Sequence, residues 1–104
     1  METFPRKRID VVVEEPALRR LQDALKSAGA IGWSVLAVHS GFGRSGDWDA
    51  SGSVTATSSM SLVTLVVDEG RLDSILKAVS GVLNRHIGIV TVSDCQVLRP
   101  ERFK

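Results

Sequence analysis

The sequence of 104 residues has no tyrosine, a single cysteine (Cys95) and few aromatic residues, which make up 5% of the chain. One cysteine excludes an intramolecular disulfide, and the chain has no paired-cysteine motif of the zinc-knuckle or dithiol type. The charges nearly cancel, with 13 Lys and Arg against 12 Asp and Glu. A net charge of +1 gives no long-range field that would attract nucleic acid or an anionic membrane. We therefore predict no nucleic-acid partner, and any anion must be recognised locally.

Long apolar runs are absent as well. The first ten residues lack the apolar core of a signal peptide, and no stretch approaches the roughly 18 apolar residues of a membrane span. We therefore expect a cytoplasmic protein with no direct membrane insertion. The length and the 43% hydrophobic content predict one compact domain over residues 1–104.

The hydrophobic pattern predicts two helices and four strands. Leu18, Leu21 and Leu25 recur at helical spacing within residues 17–28, and Gly29 supplies the residue that can end this helix. A second amphipathic stripe runs to residue 83, and short β-branched runs predict strands at 8–13, 33–38, 62–67 and 87–93. The order is βαββαβ with a C-terminal tail at 94–104. It predicts an α+β ferredoxin-like sandwich, with both helices on one face of a four-stranded antiparallel sheet.

A long loop at about 43–60 joins the second and third strands. We predict that it is flexible, because it is rich in Ser, Gly, Ala and Asp and shows no apolar period. It opens on a predicted glycine turn, Gly41 to Arg44, whose backbone amides could converge on a phosphate oxygen. Arg44 could add charge-assisted hydrogen bonds to such an anion. The alternative, a loop hinge without a ligand, stays open.

Three of the predicted strands carry apolar residues on both sides, although two helices can cover only one face of the sheet. A large exposed apolar face is unusual in a soluble monomer. We therefore expect a homo-oligomer packed sheet to sheet. The alternative is that bulges and the tail cover this face within one chain.

The stretch GWSVLAVHSGFGRSG resembles the G-x-T-V and G-F-G-R motifs of the PII signalling superfamily, and SLVTLVVDEGRLDSILKAV is similar to its third strand and second helix. The stretch NRHIGIVTV departs from the family's T-G-x-x-G-D-G-K phosphate segment. The absence of tyrosine excludes uridylylation of a loop tyrosine. With these departures the chain looks more like the PII-like branch of carboxysome-associated PII proteins and SbtB regulators.

This resemblance implies a homotrimer that binds ADP or AMP between subunits, and possible binding of bicarbonate, in the signal transduction of inorganic carbon metabolism and carbon fixation. It implies no metal and no catalysis. The 43–60 loop would bind a target protein, such as a bicarbonate transporter or a carboxysome component, with Trp48 as the aromatic anchor.

The resemblance also assigns residues to the nucleotide's base. Ser34 occupies the position on the second strand that faces the adenine. Thr64 and Val66 match positions on the third strand that line the base on the neighbouring subunit. The alternative for Thr64 and Val66 is ordinary strand packing.

Five further residues are assigned to the phosphates. Gly41, Gly43 and Arg44 form the base of the loop near the phosphate groups. Gly88 and Ile89 fall where the altered phosphate segment passes.

Arginines of the C-terminal tail complete the implied site. Arg99 and Arg102 resemble tail arginines that reach a bound phosphate from the adjacent chain, the alternative being a solvated basic terminus. Arg85 and His86 could complement the end of the second helix, or His86 could sense pH or contact an anion.

No catalytic constellation is apparent. We predict that Glu14 and Glu15, like Asp68 and Glu69, cap or solvate helix ends, and no nucleophile lies at a recognisable spacing from a base. The alternatives are a divalent-metal-binding ferredoxin-like trimer, a nitrogen-regulatory PII protein, and a small ferredoxin-like hydrolase.

Overall fold

The computed structural model describes residues 1–43, 46–49 and 59–104. Within these ranges the chain forms six strands, two helices and one short 3₁₀ turn. In chain order they are β1 (Phe4–Glu14), α1 (Glu15–Ser27), β2 (Ser34–Val38), β3 (Ser40–Gly43), β4 (Gly46–Asp49), β5 (Met60–Val67), α2 (Glu69–Leu83), β6 (Gly88–Val97) and the 3₁₀ turn (Pro100–Arg102).

Four strands form one antiparallel sheet in the order β2-β5-β1-β6. Helices α1 and α2 contact each other and pack on the same face of this sheet. The predicted ferredoxin-like α+β arrangement is therefore confirmed. The remaining strands, β3 and β4, pair with each other in a separate antiparallel hairpin.

The two helices are joined through Arg71. Helix α1 has Pro16 in its first turn, where a missing N–H costs nothing, and is followed by Gly29 at φ +88°. The Gly29 carbonyl accepts a hydrogen bond from Arg71 Nη1 at 3.0 Å. Helix α2 begins after Asp68, whose Oδ1 accepts from the Arg71 backbone N–H at 3.0 Å. One arginine thus connects the end of α1 to the N-cap of α2.

The core lies between the helices and the alternate side chains of β1 and β5. Every second residue from Ile9 to Val13 and from Ser61 to Val67 is buried, as expected for a sheet covered on one face. The largest fully buried side chains are Ile9, Val11, Val13, Leu21, Leu25, Val63, Val67, Ile75 and Val79.

Two predicted strand ends are wrong. Strand β1 begins at Phe4 rather than at residue 8, and β6 continues to Val97 rather than ending at residue 93. The two extensions pair with each other, since Phe4 lies opposite Val97. Residues 94–97, predicted to belong to the tail, are therefore part of the sheet.

The predicted glycine turn is also wrong over Gly41 and Gly43. Both residues belong to the extended strand β3, in which Gly41 lies opposite Trp48 and Gly43 opposite Gly46. Glycine accepts extended dihedrals as readily as left-handed ones, so the local sequence could not distinguish a turn from a strand. Arg44 and the 50–58 part of the predicted flexible loop lie outside the described residues.

Neither helix of the described ranges is long and apolar enough to cross a membrane.

Candidate functional site

The sheet face that points away from the helices carries a row of aliphatic side chains. We call it the open face. In antiparallel pairs, directly opposed residues project to the same side, so the register defines rows that cross all four strands. The aliphatic row consists of Leu36, Leu62, Val12 and Ile89. Ile89 is 65% exposed and Leu36 48% exposed in the single chain. The predicted uncovered apolar face is therefore present.

A polar row lies two residues along the strands on the same face. It consists of Ser34, Thr64, Asp10 and Thr91. Each of these side chains can form hydrogen bonds, in contrast to the aliphatic row beside it. The open face thus offers apolar contact area and a line of hydrogen-bonding groups next to each other.

Asp10 is the electrostatic centre of the polar row. Its Oδ1 accepts a 2.6 Å hydrogen bond from the Thr64 hydroxyl and a 3.1 Å hydrogen bond from Arg8 Nε. The Thr64 hydrogen bond, together with the hydrogen bond and charge of Arg8, holds the pKa of Asp10 below its ordinary value, against the opposing effect of burial. Asp10 is therefore ionised near neutral pH and acts only as an acceptor.

The structure brings together two of the residues assigned to the base. Ser34 of β2 lies directly opposite Thr64 of β5 in the same chain, so a base that contacts Ser34 is next to that chain's own Thr64. The placement of Thr64 and Val66 against a base on the neighbouring subunit stays a prediction. Val66 lies on the same face, two residues further along β5 and opposite Arg8. Asp10 and Thr91 belong to this group although the sequence did not single them out. Only the strand register identifies them, because it pairs Asp10 with both Thr64 and Thr91.

Gly88 is the first residue of β6, and Ile89 next to it is the β6 member of the aliphatic row. A side chain at Gly88 would meet the Val12 carbonyl oxygen at 2.9 Å and Leu83 Cδ2 at 2.7 Å. Because β1 and α2 approach so closely, position 88 has no room for a side chain, and packing alone accounts for a glycine there. The role of both residues at a phosphate stays a prediction.

The buried Glu14 pairs with the partly buried His86 at the same end of the sheet. Glu14 Oε2 lies 2.9 Å from His86 Nδ1 and accepts from the Ile87 backbone N–H at 3.2 Å. Glu14 is only 8% exposed and its side chain forms no cap hydrogen bond to α1. The prediction of a solvated or capping Glu14 is therefore wrong, because the carboxylate instead anchors the turn that leads into β6.

Arg6 holds the C-terminal tail at the opposite end of the sheet. Arg6 Nε donates to the Phe103 carbonyl at 2.9 Å, and Arg6 Nη2 donates to the Pro100 carbonyl at 3.1 Å. These bonds fix the 3₁₀ turn next to the exposed side chains of Arg99 and Arg102. An open groove of about 570 Å³ lies here, lined by Gln96, Val97, Leu98, Arg99, Arg102 and Phe103.

The predicted site residues are thus divided between the two ends of the sheet. Strand β6 separates Gly88 from Val97 by a span of roughly 30 Å, at about 3.3 Å per residue. A single nucleotide is much shorter than this span. One nucleotide therefore cannot contact Gly88 and Arg99 of the same chain, and it could contact both only where two chains meet.

Among the described residues, no group of three or more His, Cys, Asp or Glu side chains is placed to hold a metal ion.

A protein-family model, described as nitrogen regulatory protein P-II, matches residues 6–102. The chain therefore belongs to the P-II family, and the resemblance inferred from the sequence is confirmed. No curated protein matches the chain.

Solved structures of PII-like proteins share this fold. A structure of CPII, a nitrogen regulatory PII-like protein from Thiomonas intermedia bound to ADP, AMP and bicarbonate, superposes with a TM-score of 0.87 at 24% identity, covering 98% of this chain and 96% of that one. CPII bound to ADP and bicarbonate gives 0.84 at 25% identity, with 99% and 98% covered. A PII-like signalling protein from Thermus thermophilus gives 0.82 at 23% identity, with both chains fully covered.

Proposed function

We propose that this protein is a PII-like, nonenzymatic signal-transduction protein that senses ADP or AMP, and also bicarbonate, in inorganic carbon metabolism. The observation that carries the proposal is the polar row of Ser34, Thr64 and Asp10 beside an apolar row on the open face. This arrangement suits an aromatic base, which needs both flat apolar contact and a few hydrogen bonds. The ligands named for CPII, a protein of the same fold, support adenine nucleotides and bicarbonate.

The site is completed by assembly into a homotrimer. Burial of exposed apolar area contributes about 25 cal/mol per Å², so an aliphatic row across four strands favours association. Association would also bring the tail of one chain to the nucleotide of the next, which the span of β6 forbids within one chain.

Each part of the ligand has its own contacts in this proposal. Ser34, Thr64 and Val66 contact the base, and the loop base formed by Gly41, Gly43 and Arg44 contacts the phosphates. The segment at Gly88 and Ile89 passes beside the phosphates, and Arg99 and Arg102 reach them from the neighbouring chain. The guanidinium groups supply charge-assisted hydrogen bonds to phosphate oxygens.

Signalling follows from the 43–60 loop. A ligand shifts a conformational equilibrium only by its differential affinity for the two states, so phosphate contacts from the loop base would favour one loop conformation. That conformation would bind a target protein, which we propose is a bicarbonate transporter or a carboxysome component, through Trp48. Capture of the target by the wild type, but not by Trp48→Ala, in the presence of ADP tests this step.

Isothermal titration calorimetry with ADP and AMP tests nucleotide sensing. We expect micromolar binding, weakened by about 1.5–3 kcal/mol in Arg44→Ala, the size of a lost charged hydrogen bond. Arg20→Ala, an exposed arginine on α1, is the matched control and should bind like the wild type. Absence of binding by either nucleotide, or heat with Cu(II) or Zn(II) instead, would overturn the proposal.

Bicarbonate needs a separate titration at constant pH into the protein saturated with ADP, with sodium chloride as the control for ionic strength. Heat that appears with bicarbonate and not with chloride supports it. Equal signals for the two salts would remove bicarbonate from the proposal and leave nucleotide sensing intact.

A further inference from the structure

Asp10 restricts what the Thr64 hydroxyl can do. A threonine hydroxyl has one proton to donate and two lone pairs that can accept. Thr64 Oγ1 and Asp10 Oδ1 are 2.6 Å apart, a normal length for a hydroxyl that donates to a carboxylate. A carboxylate held ionised by Thr64 and Arg8 has no proton to give. Thr64 must therefore be the donor in this bond, and its remaining capacity is that of an acceptor.

The acceptor lies on the part of the open face that the proposed function assigns to the base. Thr64 is half-buried in β5, between Ser34 on one side and Asp10 on the other. A ligand group that meets Thr64 Oγ1 here must bring its own N–H or O–H donor.

We propose that Asp10 is a specificity-determining residue. Because the Thr64 hydroxyl donates its proton to Asp10, Thr64 can only accept a hydrogen bond from the base. Thr64 therefore accepts from the exocyclic amine of adenine and disfavours a base with a carbonyl at that position. The inference rests on the proposed function, since it assumes that Thr64 faces the base. Asp10 acts through Thr64 and does not need to contact the nucleotide. The two bases are discriminated because a base carbonyl oxygen and Thr64 Oγ1 would both be acceptors, and neither would have a donor.

AMP and inosine monophosphate (IMP) are the probes for this inference, because IMP replaces the amine at position 6 of the base by a carbonyl. We expect the wild type to bind AMP at least about tenfold more tightly than IMP, the effect of one mismatched polar contact. In Asp10→Ala the Thr64 hydroxyl is free to rotate and donate to the IMP carbonyl. The AMP preference should then fall to within about threefold, with part of the change appearing as tighter IMP binding.

Three further variants separate this role from a merely structural one. Thr64→Val removes the acceptor and should abolish the preference by weakening AMP binding, whereas Thr64→Ser keeps the hydroxyl and should preserve it. Asp94→Ala removes a carboxylate that pairs with Lys7, so it changes the net charge by the same amount without touching Thr64. It should retain the wild-type ratio.

The outcomes distinguish the inference from the proposed function. A wild type that binds AMP and IMP equally, or an Asp10→Ala variant that loses affinity for both by the same factor, overturns the inference and leaves nucleotide sensing standing. A wild type that binds neither nucleotide overturns both. Circular dichroism of each variant verifies that the chain is folded, and Thr64→Val provides the test if Asp10→Ala does not fold.

Discussion

Glu14 Oε2 lies 2.9 Å from His86 Nδ1, and the same oxygen accepts the Ile87 N–H at 3.2 Å. The Glu14 backbone N–H in turn donates to the Ile87 carbonyl at 3.1 Å. Side chain and backbone together tie the end of β1 to the turn before β6.

Loss of the Glu14 carboxylate should therefore destabilise the fold. Glu14→Ala leaves the partly buried His86 ring and the Ile87 N–H without their acceptor, which costs about 1–3 kcal/mol in the free energy of unfolding. Urea denaturation measures this. Glu15→Ala is the matched control, because Glu15 is exposed and its contact with Ser61 Oγ is long at 3.4 Å. Equal losses in the two variants would contradict an anchoring role for Glu14.

Two glycines should respond to alanine in opposite directions. At Gly88 the new methyl group would overlap the Val12 carbonyl oxygen and Leu83 Cδ2, so Gly88→Ala should destabilise the protein by about 1–3 kcal/mol. Gly81 lies in α2 with open space around it, so Gly81→Ala should stabilise the protein by about 0.5–1 kcal/mol. Thermal unfolding of both variants gives the comparison, and a harmless Gly88→Ala would refute the packing explanation.

Arg6→Ala should release the C-terminal tail. The Arg102 and Phe103 N–H groups donate to the carbonyls of Arg99 and Pro100 within the 3₁₀ turn that Arg6 holds. Without the guanidinium, hydrogen exchange of these two amides should accelerate by about tenfold.

A comparison with Lys7→Ala controls for the loss of a positive charge on β1. Lys7 pairs with Asp94 on β6 rather than with the tail, so the tail amides should keep their protection. If the tail amides exchanged at the same rate in the Arg6 and Lys7 variants, the hydrogen bonds from Arg6 would have no influence on the order of the tail.

Asp10 should make stability fall at acid pH. Because its folded-state pKa is lower than the ordinary 3.8, its contribution is complete above that value and is lost as pH falls through the folded pKa. The unfolding free energy of Asp10→Asn should therefore depend less on pH below about 4 than that of the wild type. Asp23→Asn, on the exposed side of α1, serves as control. Parallel pH profiles for the wild type and Asp10→Asn would exclude the linkage.

Ile89→Lys should disrupt the proposed trimer without unfolding the chain. Ile89 is 65% exposed in the single chain, so a charge there costs the monomer little, but it would be desolvated between subunits. Light scattering should report about three times 11.2 kDa for the wild type and a lower mass for Ile89→Lys. Ile31→Lys, at a similarly exposed position in the α1–β2 connection, should retain the wild-type mass. A monomeric wild type would remove the proposed intersubunit site.

The sequence predicted the fold where the local pattern was strong. The three-to-four spacing of Leu18, Leu21 and Leu25 defined α1, and Gly29 marked its end. Apolar residues at adjacent positions in β1, β5 and β6 indicated a sheet with two apolar faces, because neighbouring residues of a strand point to opposite sides. These signals depend only on residues that are close together in the sequence, so they can be read without knowing the fold.

The register and the full length of the strand pairing were not predicted, because no local pattern encodes them. The ends of β1 and β6 are polar or mixed, yet they pair as far as Phe4 and Val97. The burial of Glu14 depends on His86, which is 72 residues away. The polar row became visible only through the register, since Asp10 and Thr64 are 54 residues apart.

In the proposed trimer, the neighbouring aliphatic and polar rows would also restrict how copies of the chain fit together. If two copies were shifted by two residues along the strands, aliphatic side chains of one copy would contact the Arg8–Asp10 ion pair of the other. Desolvation of that ion pair is unfavourable. Alignment of the aliphatic rows with each other would leave the ion pair outside the apolar contact. In that arrangement, the Asp10 carboxylate that orients the Thr64 hydroxyl would also limit how the subunits can be oriented.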